Sequence, residues 1–438
     1  MLAGEWPADL AGWLDYLERL HPKGQAGIEL GLERLSPVRE VLGQRPFCPI
    51  ITVTGTNGKG STVVYLESIL AKAAYRVGCY SSPHLLAYNE RVRIGAKPID
   101  DAALCAAFAR VEAARRQAGD VPLTYFEFGT LAAWEVFAAA GCEVLVLEVG
   151  LGGRLDAVNL YDPDVALVTT VDLDHQDWLG PDREAIGREK AGIFRAGRPA
   201  LCADADPPAS LLRQAEVLGA PLQLIGRDFG FQPDAENRLQ WRYWRRRADG
   251  SLERRSLAYP GLRGAVQLRN AALAIAALDT LAPRLPVTMQ AIREGLIYAE
   301  LPGRFQVLPG RPAIVLDVSH NPQAVRVLAD NLGSMGFFAK TYAVLGMLAD
   351  KDVAGSIAAL RGRVDHWFLA DLDGPRGMRA EALAARLGEA DPGAAASLHP
   401  NPGEALAAAR ERAGENDRIV VFGSFHTVAA ALRALGRA

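Results

Sequence analysis

The sequence predicts a soluble α/β protein of two domains, each built on a largely parallel sheet. Its 438 residues exceed what a single hydrophobic core usually organises. Half of the residues are apolar and 23% are charged, which is ordinary for a globular protein. Short apolar runs repeatedly precede Gly, Ser, Asp or His and then an alanine-rich helical stretch. That rhythm is typical of a parallel sheet covered by helices.

Six apolar runs are the candidate strands. Nearly every residue in them is apolar, as expected of strands that are covered on both faces. The runs are Ile50–Thr54, Val144–Val149, Val165–Val171, Ala313–Val318, Tyr342–Met347 and Ile419–Phe422. Ligands of a parallel sheet collect at the carboxyl ends of its strands, so we expect the chemistry in the loops that follow these runs.

A break in the pattern at Leu301-Pro302-Gly303-Arg304 predicts the domain boundary. It follows a helical segment around Ala291 to Tyr298. We therefore predict a first domain of residues 1–298 and a smaller second domain of residues 299–438.

Between Tyr161 and Val266 the regular alternation of apolar runs and helical stretches changes. Asp206 to Pro208 and the arginine-rich stretch Arg242 to Arg247 are typical of a meander or hairpin. Such a basic run is more often one solvated face of a hairpin than a nucleic-acid site. The net charge of -3 gives no general attraction to nucleic acid, so no nucleic-acid partner is predicted.

The N-terminal segment and the cysteines indicate a cytoplasmic protein. Asp9 is followed by an amphipathic pattern, which differs from the basic start and apolar core of a signal peptide. No stretch approaches the roughly 20 apolar residues of a membrane helix, so no membrane partner is expected. The five scattered cysteines show no CxxC spacing, which argues against a zinc site and a disulfide framework. Monomer is the default for this architecture.

The segment Gly55-Thr56-Asn57-Gly58-Lys59-Gly60-Ser61 is the strongest chemical signal. It follows the strand Ile50–Thr54 and opens a helix, as a phosphate-binding loop does. Glycines let backbone amides cradle phosphate oxygens, Lys59 can reach the terminal phosphates, and Ser61 offers a hydroxyl to magnesium. The match to GxxxxGK[ST] is imperfect, because Val53 replaces its first glycine and Gly60 separates Lys59 from Ser61. A glycine-rich turn without a ligand is the alternative.

Two further strand ends carry groups suited to a metal. The apolar strand that ends at Glu148 delivers a carboxylate beside a glycine-rich loop, where it can hold magnesium. The next strand leads to Asp174 and His175, and His175 is a candidate second metal ligand. A lone acid at a strand end is otherwise usually solvated, and a single histidine is more often structural.

A set of motifs, taken in order, resembles the folylpolyglutamate synthase family of the Mur ligase superfamily, in the bacterial form that is also dihydrofolate synthase. The resemblance covers nearly the whole chain. The motifs are Gly55–Ser61, Ser81–Leu85 (SSPHL), Leu123–Gly129 (LTYFEFG), Leu147–Asn159 (LEVGLGGRLDAVN), Asp174–Gly180 (DHQDWLG), Glu189–Arg195 (EKAGIFR), Pro302–Gln306 (PGRFQ), Asp317–Pro322 (DVSHNP), Leu345–Asp352 (LGMLADKD) and Phe422–Val428 (FGSFHTV). The fold it implies is a P-loop ATPase domain followed by a smaller Rossmann-like α/β domain.

The resemblance implies an ATP-dependent ligase that works in two steps. A substrate carboxylate attacks the γ-phosphate of ATP, and the amine of L-glutamate then displaces phosphate from the acyl phosphate. By similarity, the triphosphate is held by Thr56, Asn57, Gly58, Lys59, Gly60 and Ser61, and the nucleotide is contacted from the domain junction by Asn270, Arg304 and Asp317. Two Mg²⁺ sites are implied, the first with Ser61, Ser82 and Glu148 and the second with Glu148 and His175. Whether a monovalent cation is also required stays open.

Other implied residues lie around the acyl phosphate. In similar ligases the lysine of the EKAGI motif, here Lys190, is carbamylated by carbon dioxide and faces the metal. An ordinary surface lysine paired with Glu189 is the alternative. His320, a candidate catalytic residue, and Asn321 are expected on the glutamate side of the cleft. His426 either joins them or is a packed or capping histidine.

The implied substrates are dihydropteroate and reduced folates. Thr124, Tyr125, Phe126 and Glu127 supply two aromatic rings and an acceptor for a flat heterocycle with amino groups, although the stripe also fits a core. Family likeness extends this pocket to Leu155, Asp156 and Ala157 and to Glu29, Leu30 and Gly31. The relatives more often carry Asp where this chain has Glu29, and Thr where it has Val158.

Three other classes of protein stay as alternatives. A Mur-type ligase that acts on a nucleotide-sugar peptide usually needs an extra domain, and the segment before Gly55 leaves little room for one. A GTP switch needs an NKxD-type guanine reader, which the sequence lacks. A kinase that releases a stable product is distinguished by testing whether ADP formation requires both a carboxylate substrate and L-glutamate.

Overall fold

The computed structural model describes residues 6–22, 28–234, 237 and 239–437. The chain divides into two compact units. The first comprises Met1–Pro260 and Leu268–Ala299, and the second comprises Gly261–Gln267 and Glu300–Ala438.

The short segment Gly261–Gln267 belongs to the second unit, whereas the sequence prediction assigned it to the first domain. The reason is a close approach within the second unit. A Cβ added at Gly264 would lie 2.6 Å from Nδ2 of Asn331, so the backbone there packs directly against that side chain. Such a long-range contact leaves no trace in the local sequence.

The first unit contains two sheets. Its strands are β1 (Ile50–Thr54), β2 (Val77–Tyr80), β3 (Val92–Ile94), β4 (Lys97–Pro98), β5 (Val144–Glu148), β6 (Val165–Val168), β7 (Ala200–Cys202), β8 (Leu222–Leu224), β9 (Phe229–Pro233), β10 (Gln240–Arg246) and β11 (Leu252–Ala258). The larger sheet has the order β4-β3-β2-β5-β1-β6-β7-β8, in which β2, β5, β1, β6, β7 and β8 are parallel and β3 runs antiparallel to both of its neighbours, β2 and β4.

The helices of this part of the chain are α1 (Leu10–Leu20), α2 (Leu35–Leu42), α3 (Lys59–Lys72), α4 (Asp101–Gln117), α5 (Tyr125–Ala139), α6 (Gln176–Leu179), α7 (Arg183–Ala191), α8 (Ala209–Leu218), α9 (Val266–Leu281) and α10 (Met289–Ile297). The predicted amphipathic N-terminal helix is α1. Asp9 caps it by accepting from the Gly12 N–H, and Leu10, Trp13 and Leu17 are buried. These side chains join the core that covers the sheet.

Two predicted strands of the larger sheet are shorter than expected. β5 ends at Glu148 and not at Val149, and β6 ends at Val168 and not at Val171. Thr169 and Thr170 leave the strand because they hydrogen-bond to the loop after β1. The strand Ile50–Thr54 is confirmed, with all five residues buried.

The arginine-rich stretch forms β10 of a three-stranded antiparallel sheet with order β11-β10-β9, so a hairpin there is confirmed. One face of β10 is buried through Trp241 and Tyr243, and the Tyr243 hydroxyl donates to Asp279 of α9. Asp206 to Pro208 differ from the expectation, because they lead into helix α8 and not into a hairpin.

The second unit is a smaller α/β domain, as predicted. Its strands are β12 (Gln306–Leu308), β13 (Ala313–Asp317), β14 (Thr341–Leu345), β15 (His366–Ala370), β16 (Ala396–His399) and β17 (Arg418–Phe422), and its helices are α11 (Pro322–Ser334), α12 (Val353–Ala358), α13 (Ala380–Ala390), α14 (Pro402–Arg412) and α15 (Phe425–Ala434). The sheet order is β12-β13-β17-β14-β15-β16, and only β12 runs antiparallel to its neighbour. Its core lies between the sheet and these helices.

The five cysteines, Cys48, Cys79, Cys105, Cys142 and Cys202, are free thiols. In the described ranges, none of the helices has the length and apolar character that crossing a bilayer requires.

Candidate active site

The loop after β1 has the close packing of a phosphate-binding loop. Gly55 has φ 151° and Gly58 has φ 93°. A Cβ at Gly55 would lie 1.8 Å from Oγ1 of Thr169, and a Cβ at Gly58 would lie 2.8 Å from Oδ1 of Asn270. Both positions therefore require glycine, for backbone conformation and for space. Asn270 is thus brought to the loop from α9, far along the chain.

Hydrogen bonds from the loop after β6 hold the backbone of this loop in place. The Thr56 N–H donates to the Thr170 carbonyl (2.8 Å), and the Asn57 N–H donates to the Thr170 hydroxyl (3.0 Å). The Thr56 hydroxyl also lies 3.0 Å from the Asp172 N–H. The loop is therefore rigid before any anion binds, which lowers the cost of binding one.

Lys59 and Ser61 begin helix α3, and Gly60 lies between them. The Nζ of Lys59 donates to the carbonyl oxygens of Gly55 (2.8 Å) and Thr56 (3.3 Å), so the ammonium lies over its own loop. Ser61 is buried in the first turn of the helix. A helix N-terminus with a lysine over it is an anion site.

Four neighbouring parallel strands bring the predicted groups to one edge of the sheet. In the order β2-β5-β1-β6, Ser82 follows β2, Glu148 ends β5, the phosphate loop follows β1 and His175 follows β6. Glu148 pairs in register with Val53 of β1. The carboxylate therefore lies on the strand next to the phosphate loop.

The donor groups at this edge fit a hard divalent cation. Glu148 and Ser61 are each 4% exposed and offer oxygen atoms, which Mg²⁺ and Mn²⁺ prefer. The imidazole of His175 is 30% exposed, and its Nε2 lies 3.9 Å from Oδ1 of Asp174. Among the described residues, no group of three or more His, Cys, Asp or Glu side chains is arranged around a metal position. A metal here needs hydroxyl and phosphate oxygens as well.

Lys190 is buried in helix α7 and 3% exposed. Burial, together with the positive charge of Lys59, lowers its pKa to about 7, and Asp174 opposes the shift. The alternative of a surface lysine is wrong because the side chain is buried, and Glu189 pairs with Arg154 at 2.9 Å. The lowered pKa gives this amine a larger neutral fraction near pH 7 than an ordinary lysine has.

The predicted heterocycle residues come together from three segments. The Gly31 N–H donates to the Leu155 carbonyl (3.1 Å), and the Phe126 ring lies against Gly150. Thr124 caps α5, and its N–H donates to Oε2 of Glu127 (2.8 Å). The Tyr125 side chain is buried, Phe126 and Leu30 are partly exposed, and Ala157 is buried at the start of a 3-10 turn.

Arg34 is a member of this cluster that the sequence did not single out. It forms an ion pair with Glu127 (2.5 Å) and another with Glu29 (2.6 Å), and Glu29 also lies 3.3 Å from His21. Both carboxylate oxygens of Glu127 thus already accept hydrogen bonds. Arg34 is the last residue of the segment Ile28–Arg34 (IELGLER), and no residue near it in the sequence indicates Glu127 as its partner.

Asp156 is a buried carboxyl beside the phosphate loop. Burial raises its pKa to about 7, although N–H bonds from Leu151 and Val158 (2.9 Å each) and the charge of Lys59 oppose the shift. Its oxygens therefore fix the Leu151–Val158 loop and do not point freely into solvent.

In the second unit, Arg304 and Asp317 lie together. Asp317 accepts from the N–H groups of Phe305 and Ser319 (2.8 Å each), and burial raises its pKa while Arg304 opposes the shift. The Arg304 guanidinium lies 5.4 Å from the centre of the Phe425 ring. The residues predicted to contact the nucleotide from this unit therefore form one cluster.

The three other candidates of the second unit have different surroundings. His320 Nδ1 lies 2.9 Å from the Val318 carbonyl, and Asn321 caps α11 by accepting from the Ala324 N–H. His426 is exposed, and Ser424 is the residue that caps α15. His426 is therefore not the residue that caps α15, and its place in the site stays a prediction.

Comparison with known proteins decides the family. Residues 53–278 match the Mur ligase middle domain and residues 303–425 match the Mur ligase, glutamate ligase domain. The dihydrofolate synthase/folylpolyglutamate synthase of Escherichia coli K12 is 46% identical over 96% of this chain and 94% of its own length. The chain belongs to the dihydrofolate synthase/folylpolyglutamate synthase family of Mur ligases. It is accordingly an ATP-dependent ligase.

Solved structures of this family share the whole fold. E. coli FolC in complex with DHPP and ADP is 44% identical, covers 98% of both chains and has a TM-score of 0.89. A bifunctional folylpolyglutamate synthase/dihydrofolate synthase with Mn, AMPPNP and L-glutamate bound is 45% identical, with 98% of both chains covered and a TM-score of 0.86. The predicted class, a P-loop parallel-sheet domain followed by a smaller Rossmann-like α/β domain, is confirmed.

Proposed function

We propose that this chain joins L-glutamate to dihydropteroate, forming dihydrofolate, and to reduced folates, forming folylpolyglutamates. One observation carries the proposal: Glu148 lies in register beside the strand that opens the phosphate loop, in a chain of this family. A carboxylate, a lysine and a helix N-terminus then converge where a phosphoryl group can be transferred.

The first unit provides the groups for nucleotide and metal. Thr56 to Ser61 and Asn270 hold the triphosphate, and Ser61, Ser82, Glu148 and His175 are the proposed metal ligands. The divalent cation supplies neutralisation of charge on the transferred phosphoryl group. Lys59 holds the terminal phosphates.

Carbamylation of Lys190 is part of the proposal. A neutral amine attacks carbon dioxide, forming a carbamate and releasing a proton. Its pKa of about 7 leaves a large neutral fraction at cellular pH, whereas an ordinary lysine is almost fully protonated there. The product is a carboxylate-like anion, which suits a position close to metal and Lys59.

The proposed pocket for the pterin ring comprises Glu29 to Gly31, Thr124 to Glu127 and Leu155 to Ala157. Its support is the contact of these three segments through Gly31, Leu155 and Arg34. Phe126, which is partly exposed, offers an aromatic face to a flat ring. Glu127 shapes this pocket through Arg34 and the start of α5.

The remaining groups of the proposal belong to the second unit. Arg304 and Asp317 serve the nucleotide, and His320 serves the acyl phosphate and glutamate. We further propose that the enzyme is a cytoplasmic monomer that acts on small molecules, without nucleic acid or membrane. A monovalent cation is an optional addition to this scheme.

A direct assay tests the proposal. Purified protein with ATP and Mg²⁺ is expected to convert dihydropteroate and L-glutamate to dihydrofolate, ADP and phosphate, and to extend reduced folates. Lys59→Ala and Glu148→Ala each remove charge at the phosphoryl group, so each should lower kcat by at least about 100-fold. Full activity in both folded variants would contradict the site. ADP release without L-glutamate would favour a kinase.

A further inference from the structure

Arg93 lies on β3, outside every motif that predicted the site, and all five of its N–H groups have acceptors. Nε and Nη2 bond the carboxylate of Glu67 (2.8 to 3.1 Å) and Nη2 also lies 3.0 Å from Sγ of Cys79. Nη1 donates to the Ser81 hydroxyl (2.8 Å) and to the Glu90 carbonyl (2.7 Å). Such a fully used guanidinium fixes the geometry of everything that it touches.

The segment that carries Ser82 is fixed at both ends by the same stretch of chain. At its start, the Ser81 N–H donates to the Arg91 carbonyl (3.0 Å) and the Ser81 hydroxyl accepts from Arg93. At its end, the N–H groups of Leu85, Leu86 and Ala87 donate to the Glu90 carboxylate (2.7 to 2.8 Å). Arg93 joins the two anchors, because it bonds both Ser81 and the carbonyl of Glu90.

The other partner of Arg93 belongs to the helix that begins with the phosphate loop. Glu67 lies on α3 and its side chain is 3% exposed, while that of Arg93 is 15% exposed. Burial lowers the pKa of Arg93, whereas Cys79, Glu67 and, to a smaller extent, Glu148 raise it. One guanidinium thus connects α3 with the Ser81 turn.

We propose that Arg93 is a positioning residue for the divalent metal: it holds the Ser81–Ser82 turn against helix α3 so that the Ser82 hydroxyl meets the cation. This rests on the proposed function, in which Ser82, Ser61 and Glu148 serve the metal. Arg93 touches neither the metal nor a substrate. It acts only through Ser81, Glu90 and Glu67.

Two variants separate positioning from charge. Arg93→Lys keeps the positive charge but offers three N–H groups without the planar fork, so it cannot hold Glu67, Ser81 and Glu90 at once. Ser81→Ala removes only the acceptor at the turn and leaves the Arg93–Glu67 pair intact. Arg115→Lys is the matched control, because Arg115 forms a buried bidentate pair with Glu112 on α4, with Arg115 6% and Glu112 0% exposed.

The primary measurement is the affinity for Mn²⁺ in the presence of AMPPNP and in the absence of folate and glutamate. The electron paramagnetic resonance signal of free Mn²⁺ reports how much of the ion is bound. Loss of an outer-shell partner typically weakens metal affinity 10- to 100-fold, so Arg93→Lys and Ser81→Ala should raise the Kd for Mn²⁺ at least about tenfold. Arg115→Lys should not change it. In the ligation assay, raising the metal concentration should restore much of the lost rate, since kcat depends on the occupied site.

Unchanged Mn²⁺ affinity in the folded variants would overturn the proposal, and so would equal weakening in Arg115→Lys. If Arg93→Lys fails to fold, as judged by its melting temperature, Ser81→Ala decides alone. Wild-type protein that binds Mn²⁺ and AMPPNP but joins no glutamate would contradict the proposed function and leave the metal comparison valid.

Discussion

Arg34 holds Glu127 in a bidentate ion pair, with Nη2 2.5 Å from Oε1 and Nε 3.1 Å from Oε2. The same guanidinium bonds the side chain and the carbonyl of Glu29 at 2.6 Å each. Residues 29–31 are thereby attached to the first turn of α5. The shape of the proposed pterin pocket depends on this pair.

Replacing Arg34 by Met should loosen the pocket and lower stability. The carboxylate of Glu127, whose side chain is 4% exposed, would lose its cation, and breaking a buried pair costs about 3 kcal/mol. The KM for dihydropteroate should rise, while the KM for ATP should stay unchanged because the phosphate loop is not involved. Urea unfolding and steady-state kinetics measure the two effects.

Arg19→Met is the control for Arg34→Met, because Arg19 is exposed on α1 and bonds a carbonyl of its own helix, at 3.0 Å. A folded Arg34→Met variant with an unchanged KM for dihydropteroate would show that this pair does not shape the pocket.

Gly58→Ala should impair nucleotide binding. The new Cβ would lie 2.8 Å from Oδ1 of Asn270, and φ of 93° is strained for alanine. Gly43→Ala is a matched control with φ of 65° and nothing within 4 Å of the new Cβ.

Both glycine variants should lose roughly 1–2 kcal/mol of stability from backbone strain. Only Gly58→Ala should raise the Kd for a nucleotide such as AMPPNP, measured by calorimetry. Equal nucleotide affinity in the two variants would mean that the contact with Asn270 does not define the loop.

Asp156 should give the protein a measurable pH dependence of stability. Its folded pKa of about 7 lies above its ordinary value of 3.8, so its contribution is fully present below about pH 3.8. The contribution is lost as pH rises through 7, and the total change is at most about 4 kcal/mol.

In wild type, the titration of Asp156 makes the free energy of unfolding fall as pH rises from 4 to 7. Asp156→Asn removes the titrating group, so this fall should be less steep in the variant. The slope, and not the absolute stability, is the test, because Asn also loses one of the two N–H bonds. Asp15→Asn on the exposed face of α1 should leave the slope as in wild type. If Asp156→Asn had the same slope as wild type, the pKa of Asp156 in the folded protein would be its ordinary value.

Lys190 should take up labelled carbon dioxide. Wild-type protein kept in ¹³C-bicarbonate above pH 7, where the amine is largely neutral, should show a carbamate carbon by NMR. Lys190→Met should lose that signal and at least about 100-fold in kcat, because the anion beside the metal is gone.

Lys72→Met, at the exposed end of α3, is the control and should keep both the signal and the rate. Absence of the carbamate signal in active wild-type enzyme would end this assignment.

Local signals in the sequence were sufficient for the phosphate loop and for the strand ends. Ile50–Thr54 is entirely buried and leads directly into α3, because an apolar run followed by Gly55 to Ser61 leaves few other conformations. Glu148 was expected at a strand end and lies at one. The proposed roles of these residues stay predictions.

Contacts between distant segments could not be predicted in the same way. Nothing near Arg34 indicates Glu127, which is 93 residues away, and nothing near Arg93 indicates Glu67. The EKAGI segment fits both a surface and a functional position for Lys190, and only burial of the side chain excludes the surface position. Each of these outcomes depends on which elements pack together.

The sequence by itself determined the family, the parallel α/β class and the position of the phosphate loop, because glycines, apolar runs and their spacing act over a few residues. Tertiary structure decided the order β2-β5-β1-β6, which collects Ser82, Glu148, the phosphate loop and His175 at one edge. It also decided the burial that lowers the pKa of Lys190 and raises that of Asp156. Burial and electrostatic coupling arise only when separate segments exclude water together, and no local pattern specifies that.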